Sequence, residues 1–474
     1  FLGNTKGALL LEPQRSNLIT YSEAFGNSYW TKSGSSIQAD PSTAGAEQVT
    51  NGSFATDSDW TKGTGWTIAA GVASHASGSK TEISQSAGIQ SNKTYLIVWT
   101  INSTTGSGSK LIVGNQAVGV EHSAAGTYTE YIETATVVDD KIYIQSASNT
   151  VSEIDNVSVK EVQGYSSPSS DSPLGAFKLV EDTSTGLHRA FALTPYATGP
   201  YTMSFRVKAN GRTKVGISES SNISIWATFN LTSATVIDEN AGTTGTIKAL
   251  TDGWYDISIT GTTTIFDIRT GVLALDDTYT AGSPSSHSYT GDGTSGIYIY
   301  GAQLEAGSYP TSLINTSGTA VTRVKETATK SGISSLIGQT EGTIFLDFEL
   351  QTSSDDIVLM NLYQSSATAN SFYFYVTTSN VLYAYCFNTS TQADINGGAI
   401  ALGRHKIALS YALNDLALYI DGQLAGVDVS STIPTCDAMR LIDYEPAQTY
   451  LEKTEINQAT LYNTRLTNAE LATL

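Results

Sequence analysis

The stretch LLLEPQRSNLITYSEAFGNSYWTKSG (residues 9–34) decides how this chain is organised, because a second stretch soon repeats its pattern. In NGSFATDSDWTKGTGW (residues 51–66), as in the first stretch, a phenylalanine precedes small polar residues, then Trp-Thr-Lys, then a glycine. The tryptophans of the two stretches are Trp30 and Trp60. Each stretch is typical of the start of a domain. The two are too close together for a domain to lie between them, so the first domain must continue elsewhere in the chain.

The strands that follow indicate where it continues. Short alternating strands separated by turn signals fill residues 49–162, and they complete a sandwich or jelly roll with its own closing strand. The later strands also read as a sandwich, but they lack an opening stretch. We therefore predict nesting, in which a jelly roll made of residues 12–45 and 164–318 is interrupted by an inserted jelly roll at residues 46–163. Such insertions are tolerated when the termini of the insert lie close together. The alternative is a tandem array with a separate N-terminal arm.

A third sandwich is predicted at residues 319–474. Its strands include a pair joined by Asp421-Gly422, which indicates a type I′ hairpin turn because both central residues need a positive φ. Near the end of the chain, Thr467 is predicted to cap a short helix that carries Glu470 in its first turn. The chain as a whole is predicted to be all-β, with three β-sandwich or jelly-roll domains.

Composition limits the partners. The chain has 474 residues and a net charge of −19, which is spread along the sequence. No cluster of Lys and Arg offers the basic surface that nucleic acid requires, and no apolar run is long enough to span a membrane, so we expect neither partner. Cys386 and Cys436 could pair, but nothing in the sequence requires it. The chain begins at Phe1 without Met or a signal peptide, so we expect a processed or truncated chain.

Four blocks of sequence give the chain a family resemblance. They are residues 9–34, KLVEDTSTGLHRAF (178–191), GIYIYGAQLEAGSYPTSLI (296–314) with TAVTR after it, and LYNTRLTNAELATL (461–474). These blocks resemble domains of bacteriophage head-fibre, head-spike and tail-fibre proteins. In such proteins KLVEDTSTG usually follows Trp-Thr-Lys at short range, and its distance here favours the nesting.

The resemblance has further implications. It implies that the first two units are carbohydrate-binding-module-like jelly rolls and that the third is a concanavalin A-like, laminin-G type sandwich. It also implies a location on the virion surface, other virion proteins as partners and, as is common for such fibres, assembly as a homotrimer.

Catalytic motifs are missing from the sequence. It contains no His-Glu-x-x-His zinc motif, no Gly-x-Ser-x-Gly elbow and no P-loop. Glu153 and Asp155 have the alternate spacing of sandwich-type glycoside hydrolases, but the further carboxylate that such a site needs is absent. We expect this segment to be a closing strand with Ile154 and either Val157 or Val159 in the core, and we expect the protein not to be an enzyme.

Sugar binding is the chemistry that the aromatic residues favour, since pyranose rings stack on flat aromatic faces. Trp30 and Trp60 recur in matching stretches, so we expect them to share a structural role, and Trp99 lies in an apolar strand and is expected in the core. Trp66 and Trp226 are expected to be exposed, and they are candidate carbohydrate-binding residues.

The hairpin SFYFYVTTSNVLYAYCF is the other candidate. With a turn at Thr377–Asn380, Phe372 and Phe374 should lie on one face, each opposite a tyrosine of the second strand, and Tyr373 and Tyr375 should lie on the other. The face with Tyr373 and Tyr375 is predicted to be a platform for a glycan or a contact with another subunit. Burial of both faces is the alternative.

Asp57 and Asp59 are the best candidates for a structural Ca²⁺ site, because carboxylates beside the first strand of a sandwich domain often hold this ion. Solvated turn formers are the alternative for such neighbouring residues.

These observations together predict a non-catalytic surface fibre or spike of a bacteriophage that adheres to host or environmental glycans by many weak contacts. A secreted bacterial array of polysaccharide-binding modules is the alternative. A glycan depolymerase is disfavoured because the carboxylates for it are missing.

Overall fold

The computed structural model describes residues 9–27, 29–91, 93–134, 136–164, 175–195, 197–219, 225–263, 267–351, 356–442 and 454–474. Almost all regular structure in these ranges is β-strand, so the all-β prediction is confirmed. Within the same ranges, no helix has both the length and the apolar character needed to cross a bilayer. The chain divides into two compact units, Ser16–Val321 and Phe1–Arg15 with Thr322–Leu474.

The elements follow in chain order. The first segment contains β1 (Leu9–Leu11), β2 (Arg15–Asn17), β3 (Thr31–Ser33), β4 (Ser35–Gln38) and a 3-10 helix (Pro41–Thr43). The next contains β5 (Thr61–Lys62), β6 (Trp66–Ala69), β7 (Val72–His75), β8 (Thr81–Ser86), β9 (Lys93–Thr105), β10 (Ser109–Val113), β11 (Ala117–Val118), β12 (Gly126–Thr134), β13 (Lys141–Ser146) and β14 (Val151–Val162). The third contains β15 (Phe177–Glu181), β16 (Thr185–Gly186), β17 (His188–Pro195), β18 (Gly199–Asn210), β19 (Lys214–Glu219), β20 (Trp226–Asn230), β21 (Thr235–Glu239), β22 (Thr243–Ala249), a 3-10 helix (Thr251–Gly253), β23 (Trp254–Thr263), β24 (Asp267–Leu275), a 3-10 helix (Pro284–Ser286), β25 (Tyr289–Thr290) and β26 (Gly296–Ala306). The last contains β27 (Val321–Arg323), β28 (Ala328–Ser331), β29 (Glu341–Leu350), β30 (Ile357–Gln364), β31 (Ala367–Val376), β32 (Val381–Asn388), β33 (Ser390–Ala399), β34 (Gly403–Ala412), β35 (Asp415–Ile420), β36 (Gln423–Asp428), β37 (Ala438–Leu441), β38 (Thr454–Tyr462) and α1 (Asn468–Leu471).

In the unit Ser16–Val321, strands from before and after residues 45–164 share the same two sheets. The sheets have the orders β22-β23-β18-β26-β15-β4 and β21-β20-β19-β24-β17-β3. Strand β4 pairs with β15 and β3 pairs with β17, although more than a hundred residues separate each pair in the sequence. Trp30, Phe205 and Phe229 belong to the hydrophobic core of this sandwich, which we call the outer sandwich.

Residues 45–164 form two five-stranded sheets with the orders β11-β10-β13-β8-β5 and β12-β9-β14-β7-β6. Tyr95, Trp99 and Ile144 lie in the core of this inner sandwich. Leu96 of β9 and Tyr131 of β12 pack against the hydrophobic core of the outer sandwich. The two sandwiches therefore belong to one compact unit, and the domain boundaries that the sequence suggests remain a prediction.

The two opening stretches have the same local structure. Trp30 is 1% exposed and Trp60 is 6% exposed, and each indole ring packs on the phenylalanine of its own stretch with centroids 4.8 Å and 5.2 Å apart. The Nε1–H of Trp30 donates to the carbonyl oxygen of Tyr21 at 2.8 Å, and that of Trp60 donates to the carbonyl oxygen of Asn51 at 3.1 Å. The shared structural role predicted for these tryptophans is confirmed, as is the core position of Trp99.

The unit Phe1–Arg15 with Thr322–Leu474 is a sandwich of two six-stranded sheets with the orders β1-β38-β29-β34-β35-β36 and β28-β37-β30-β31-β32-β33. Its core contains Phe348 from one sheet and Phe372 and Phe374 from the other. Strand β1 pairs with β38, with Leu9 opposite Ile456. The first strand in the described residues thus extends the last sandwich, which the sequence did not indicate.

Two local predictions in this sandwich are confirmed. Asp421 and Gly422 connect β35 to β36 with φ angles of 49° and 75°, as a type I′ turn requires. At the end of the chain, the Oγ1 of Thr467 accepts from the N–H of Glu470 at 3.3 Å. The carboxylate of Glu470 accepts from the N–H of Thr467 at 2.7 Å, which completes a capping box for α1.

The closing strand of the inner sandwich, β14, contains a bulge. Asn156 has a φ of 53°, and the pairing with β9 shifts between Asp155 and Ser158. The extra residue of the bulge shifts the alternation of side chains by one position, so that the Val157 side chain points into the core. Val157 and Val159 therefore both lie in the core, together with Ile154. The sequence had suggested that only one of the two valines would do so.

The two cysteines are free thiols in the core of the last sandwich. Burial raises the pKa of the Cys386 and Cys436 thiols to about 12, so both are protonated at neutral pH.

Candidate functional site

Four tyrosines lie on one face of the hairpin β31–β32 and form what we call the tyrosine face: Tyr373, Tyr375, Tyr383 and Tyr385. All four side chains are partly exposed, whereas the residues that alternate with them are buried in the core. Side chains alternate between the two faces of a strand, so the core-forming residues of β31 and β32 direct the tyrosines outward.

The rings of the tyrosine face contact one another. Tyr373 and Tyr385 lie opposite each other across the two strands and stack with ring centroids 4.7 Å apart and planes inclined by 17°. Tyr383 stacks on Tyr385 at 5.8 Å and 23°, and Tyr375 approaches the edge of Tyr385 at 6.3 Å and 74°. Tyr385 is thus the centre of a continuous aromatic surface.

The register of this hairpin differs by one residue from the prediction. Phe374 lies opposite Ala384 rather than a tyrosine, and the tyrosines of β31 lie opposite those of β32. The physical reason is the connection. The N–H of Thr377 donates to the carbonyl oxygen of Val381, and Asn380 has a φ of 58°, which makes a three-residue loop with a left-handed last residue. The expected pairing was wrong, and its correction adds two tyrosines to the outer face.

Polar groups border the tyrosine face. The Tyr375 hydroxyl donates to the carboxylate of Asp356, and the amide of Asn396 donates to the hydroxyl of Tyr383 at 3.2 Å. Burial raises the pKa of Tyr385, and the neighbouring carboxylate of Asp394 raises it further. The Tyr385 phenol is therefore neutral over the physiological range and can both donate and accept hydrogen bonds.

Trp66 does not have the exposure that was expected of it. Its side chain is 4% exposed and packs in the core of the inner sandwich, with its ring centroid 5.1 Å from that of His75. Trp66 is the first residue of β6, and it shares the inward direction with Ile68 two residues later. The preceding Gly65 suggested a loop, but the strand already begins at Trp66.

Trp226 is 7% exposed, so the expectation of an exposed ring was wrong here as well. It lies opposite Ser218 on β19, and the hydroxyl of Ser218 bonds that of Ser285 at 2.8 Å. The segment Pro284–Ser286 therefore lies against the sheet beside Trp226. Neither Trp66 nor Trp226 offers a free ring face for a sugar.

Asp57 and Asp59, the predicted calcium ligands, have separate partners. The carboxylate of Asp57 pairs with the ammonium group of Lys62, and that of Asp59 accepts from the hydroxyl of Ser58 at 2.6 Å. In the described part of the chain, no group of three or more His, Cys, Asp or Glu side chains could hold a metal ion. The geometry thus gives the calcium prediction no support.

A cleft of about 410 Å³ lies where the outer and inner sandwiches meet, within the unit Ser16–Val321. We call it the inter-sandwich cleft. Its walls come from the first opening stretch and β4 on one side, and from β11 and β12 on the other. The lining residues used below are Tyr21, Gly26, Asn27, Lys32, Ser36, Gln116, Thr129, Glu130, Tyr131 and Glu133. No sequence motif indicated this cleft, since its walls are far apart in the chain.

Glu133 and Lys32 both line this cleft, and their charges influence each other. The Glu133 side chain is 2% exposed, and its Oε1 accepts from the N–H of Gly26 at 2.9 Å. Burial raises the pKa of Glu133 to about 8, although the Gly26 amide and the Lys32 cation act in the opposite direction. Burial likewise lowers the pKa of Lys32, against the influence of Glu133. The pair therefore favours an uncharged Glu133 at neutral pH.

Comparisons with known proteins add structural likenesses only. No protein-family model matches the chain, and no curated protein matches it. The chain is similar to the CBM40 module of the Ruminococcus gnavus IT-sialidase, with 14% identity over 31% of this chain and 97% of that one, at a TM-score of 0.26. It is also similar to a variant of the NanB sialidase from Streptococcus pneumoniae, with 14% identity over 31% of this chain and 26% of that one, at a TM-score of 0.27. The receptor-binding domain of botulinum neurotoxin type G is similar at 10% identity over 29% of this chain and 38% of that one, at a TM-score of 0.24. At this level of similarity these structures bear on neither the ligand nor the activity of this chain.

Proposed function

We propose that this chain binds a glycan through its tyrosine face, without cleaving it, as part of a surface fibre of a bacteriophage particle. The observation that supports glycan binding is the set of four contiguous, partly exposed tyrosines on the outer face of β31 and β32. The outer face of an antiparallel sheet usually carries polar residues, and an exposed aromatic patch there favours an interaction site.

The chemistry of this face suits a sugar. Tyrosine offers a flat apolar ring for the C–H groups of a pyranose and a hydroxyl for its polar groups, at a low cost in side-chain entropy. The rings already stack on one another, so little further ordering is needed when a ligand binds. Asp356 and Asn396 at the border supply hydrogen-bonding groups beside the rings. A single open face of this kind binds weakly, and many copies on one particle would provide avidity.

The assignment to a phage fibre rests on the resemblance of the sequence blocks described above. It carries with it the virion surface as location, other virion proteins as partners and assembly as a homotrimer. The alternative, a secreted bacterial array of binding modules, predicts a monomer that is free in solution. The molar mass of the purified chain, measured by light scattering, separates these two proposals.

The absence of catalysis is also part of the proposal. Glu153 and Asp155, which come nearest to a glycosidase spacing, are engaged locally. The carboxylate of Glu153 accepts from the hydroxyl of Ser103 at 3.0 Å, and that of Asp155 accepts from the N–H of Asn156 at 2.7 Å. These contacts favour structural roles in β14.

The experiment is retention of the purified chain on host-cell polysaccharides, with new reducing ends assayed in the same tubes. Retention without new reducing ends is the expected result. New reducing ends would overturn the non-catalytic assignment, and the absence of both retention and cleavage would overturn glycan binding.

A further inference from the structure

The inter-sandwich cleft has the location and size of a small-molecule site. Such sites prefer the junctions between domains, and a volume of about 410 Å³ lies within the range that is typical for them. The cleft belongs to the unit Ser16–Val321, whereas β31 and β32 of the tyrosine face belong to the other unit.

Glu130 and Lys32 of the cleft already have partners inside the protein, and Glu133, whose Oε2 has none, is only 2% exposed. The Glu130 carboxylate accepts from Trp99 Nε1 at 3.0 Å, from the N–H of Val120 at 2.7 Å and from His122 Nε2 at 3.3 Å. The ammonium group of Lys32 donates to backbone carbonyl oxygens, at 3.1 Å to Gly26 and at 3.2 Å to Asn27. Neither the Glu130 carboxylate nor the Lys32 ammonium group is therefore available to pair with an opposite charge on a ligand.

The neutral polar side chains of the cleft, unlike Glu130 and Lys32, are available to bond a ligand. Ser36, Gln116 and Thr129 line it and are exposed. In the described ranges, their side chains make no hydrogen bond to the protein. Tyr21 and Tyr131 line the same cleft and are partly exposed, so aromatic surface lies beside these hydroxyl and amide groups.

We infer that the inter-sandwich cleft binds a neutral saccharide ring, held by the side chains of Ser36, Gln116 and Thr129 beside the rings of Tyr21 and Tyr131. A sugar ring has both the hydroxyls that pair with amide and hydroxyl groups and the apolar faces that contact tyrosine. An anionic or cationic sugar would lose the hydration of its charge and find no free counter-charge. This site shares its ligand class with the proposed function but is a second, separate site.

The test removes two of the three proposed hydrogen-bonding side chains and leaves the buried contacts of the cleft in place. The double variant Gln116→Leu/Thr129→Leu changes two exposed side chains, and Thr127→Leu is the control, in which the hydroxyl that is lost bonds Thr100 at 3.0 Å. Thr127 is also exposed, and it lies on the same strand and the same face as Thr129, outside the cleft. All variants are made in the full chain, in a background with Tyr373→Ala/Tyr385→Ala, so that the tyrosine face does not contribute.

The probes are the methyl glycosides of glucose, galactose and N-acetylglucosamine, with glucuronate and glucosamine as charged counterparts, and binding is measured by saturation-transfer NMR. At least one neutral glycoside should bind to the background protein and to the Thr127→Leu control. The double variant should lose about tenfold in affinity or more, as expected for two hydrogen bonds.

Three results would overturn the inference: binding of the charged sugars alone, equal binding by the double variant, or no binding of any neutral glycoside to the background protein. Because the tyrosine face is disabled throughout, the outcome does not depend on the proposed function. Conversely, if the proposed function were wrong, the chain would be retained on polysaccharide equally with and without the tyrosine substitutions.

Discussion

Glu133→Gln should stabilise the protein at alkaline pH and have little effect in acid. Glu133 is buried where the two sandwiches meet, and its Oε2 lies in the interior without a hydrogen-bond partner. Burial raises the pKa of this carboxyl from 4.5 to about 8. Glutamine has the shape of the protonated acid, and its Oε1 can still accept from the N–H of Gly26.

The sign and the size follow from proton linkage. Between the two pKa values the native state keeps a proton that the unfolded chain has lost, so the free energy of unfolding falls as pH rises. The free energy of unfolding falls by about 1.4 kcal/mol for each pH unit in this range. The stability that protonated Glu133 contributes is therefore complete below about pH 4.5 and is lost by about pH 8. We expect the free energy of unfolding of Glu133→Gln to be roughly 2–5 kcal/mol higher than that of the native protein at pH 8, and the two values to be equal near pH 4.5.

The assay is urea denaturation of both proteins at a series of pH values from acid to mildly alkaline. Glu121→Gln is the control, because Glu121 is an exposed carboxylate in the same unit. A difference between Glu133→Gln and the native protein that stays constant across this range, or that shrinks as pH rises, would refute the reasoning.

Three further predictions concern single features. Arg212→Ala should lower the free energy of unfolding by about 3–5 kcal/mol, because it leaves the carboxylate of Glu181, which is 1% exposed, without its cation; an unchanged denaturation midpoint would contradict this. Asn156→Gly should be tolerated in the β14 bulge, whereas Asn156→Val should lower the melting temperature because a β-branched residue resists a φ of 53°; equal melting temperatures for the two variants would contradict this. EDTA should leave the melting temperature unchanged, because Asp57 pairs with Lys62; a fall that Ca²⁺ reverses would restore the calcium prediction.

Features that depend on neighbouring residues could be predicted from the sequence. Asp421-Gly422 forms the expected turn because its backbone requirement involves only those two residues. Trp30 and Trp60 are buried as expected because each opening stretch contains its own ring partner and its own carbonyl acceptor.

Features that depend on residues far apart in the chain could not be predicted from the sequence. The burial of Trp226 depends on a segment about sixty residues later, which lies against the same sheet. The inter-sandwich cleft combines walls about a hundred residues apart, and no local pattern marks it. The tyrosine face is intermediate. Its alternation is visible in the sequence, but its register depends on the left-handed conformation of Asn380, which asparagine favours without requiring it.

The most direct test of the proposed function is to compare the retention of three proteins on the polysaccharide that the native chain binds: the native chain, Tyr385→Ala and Tyr143→Ala. Tyr385 is the centre of the tyrosine face. Tyr143 is a matched control, because it is also partly exposed on a strand and also lies beside an aspartate, but it belongs to the inner sandwich. We predict that Tyr385→Ala loses about tenfold or more in affinity, as for a stacking residue at the centre of a contact, whereas Tyr143→Ala binds as the native chain does. Equal binding by Tyr385→Ala and the native chain would contradict the proposal that this face binds the glycan.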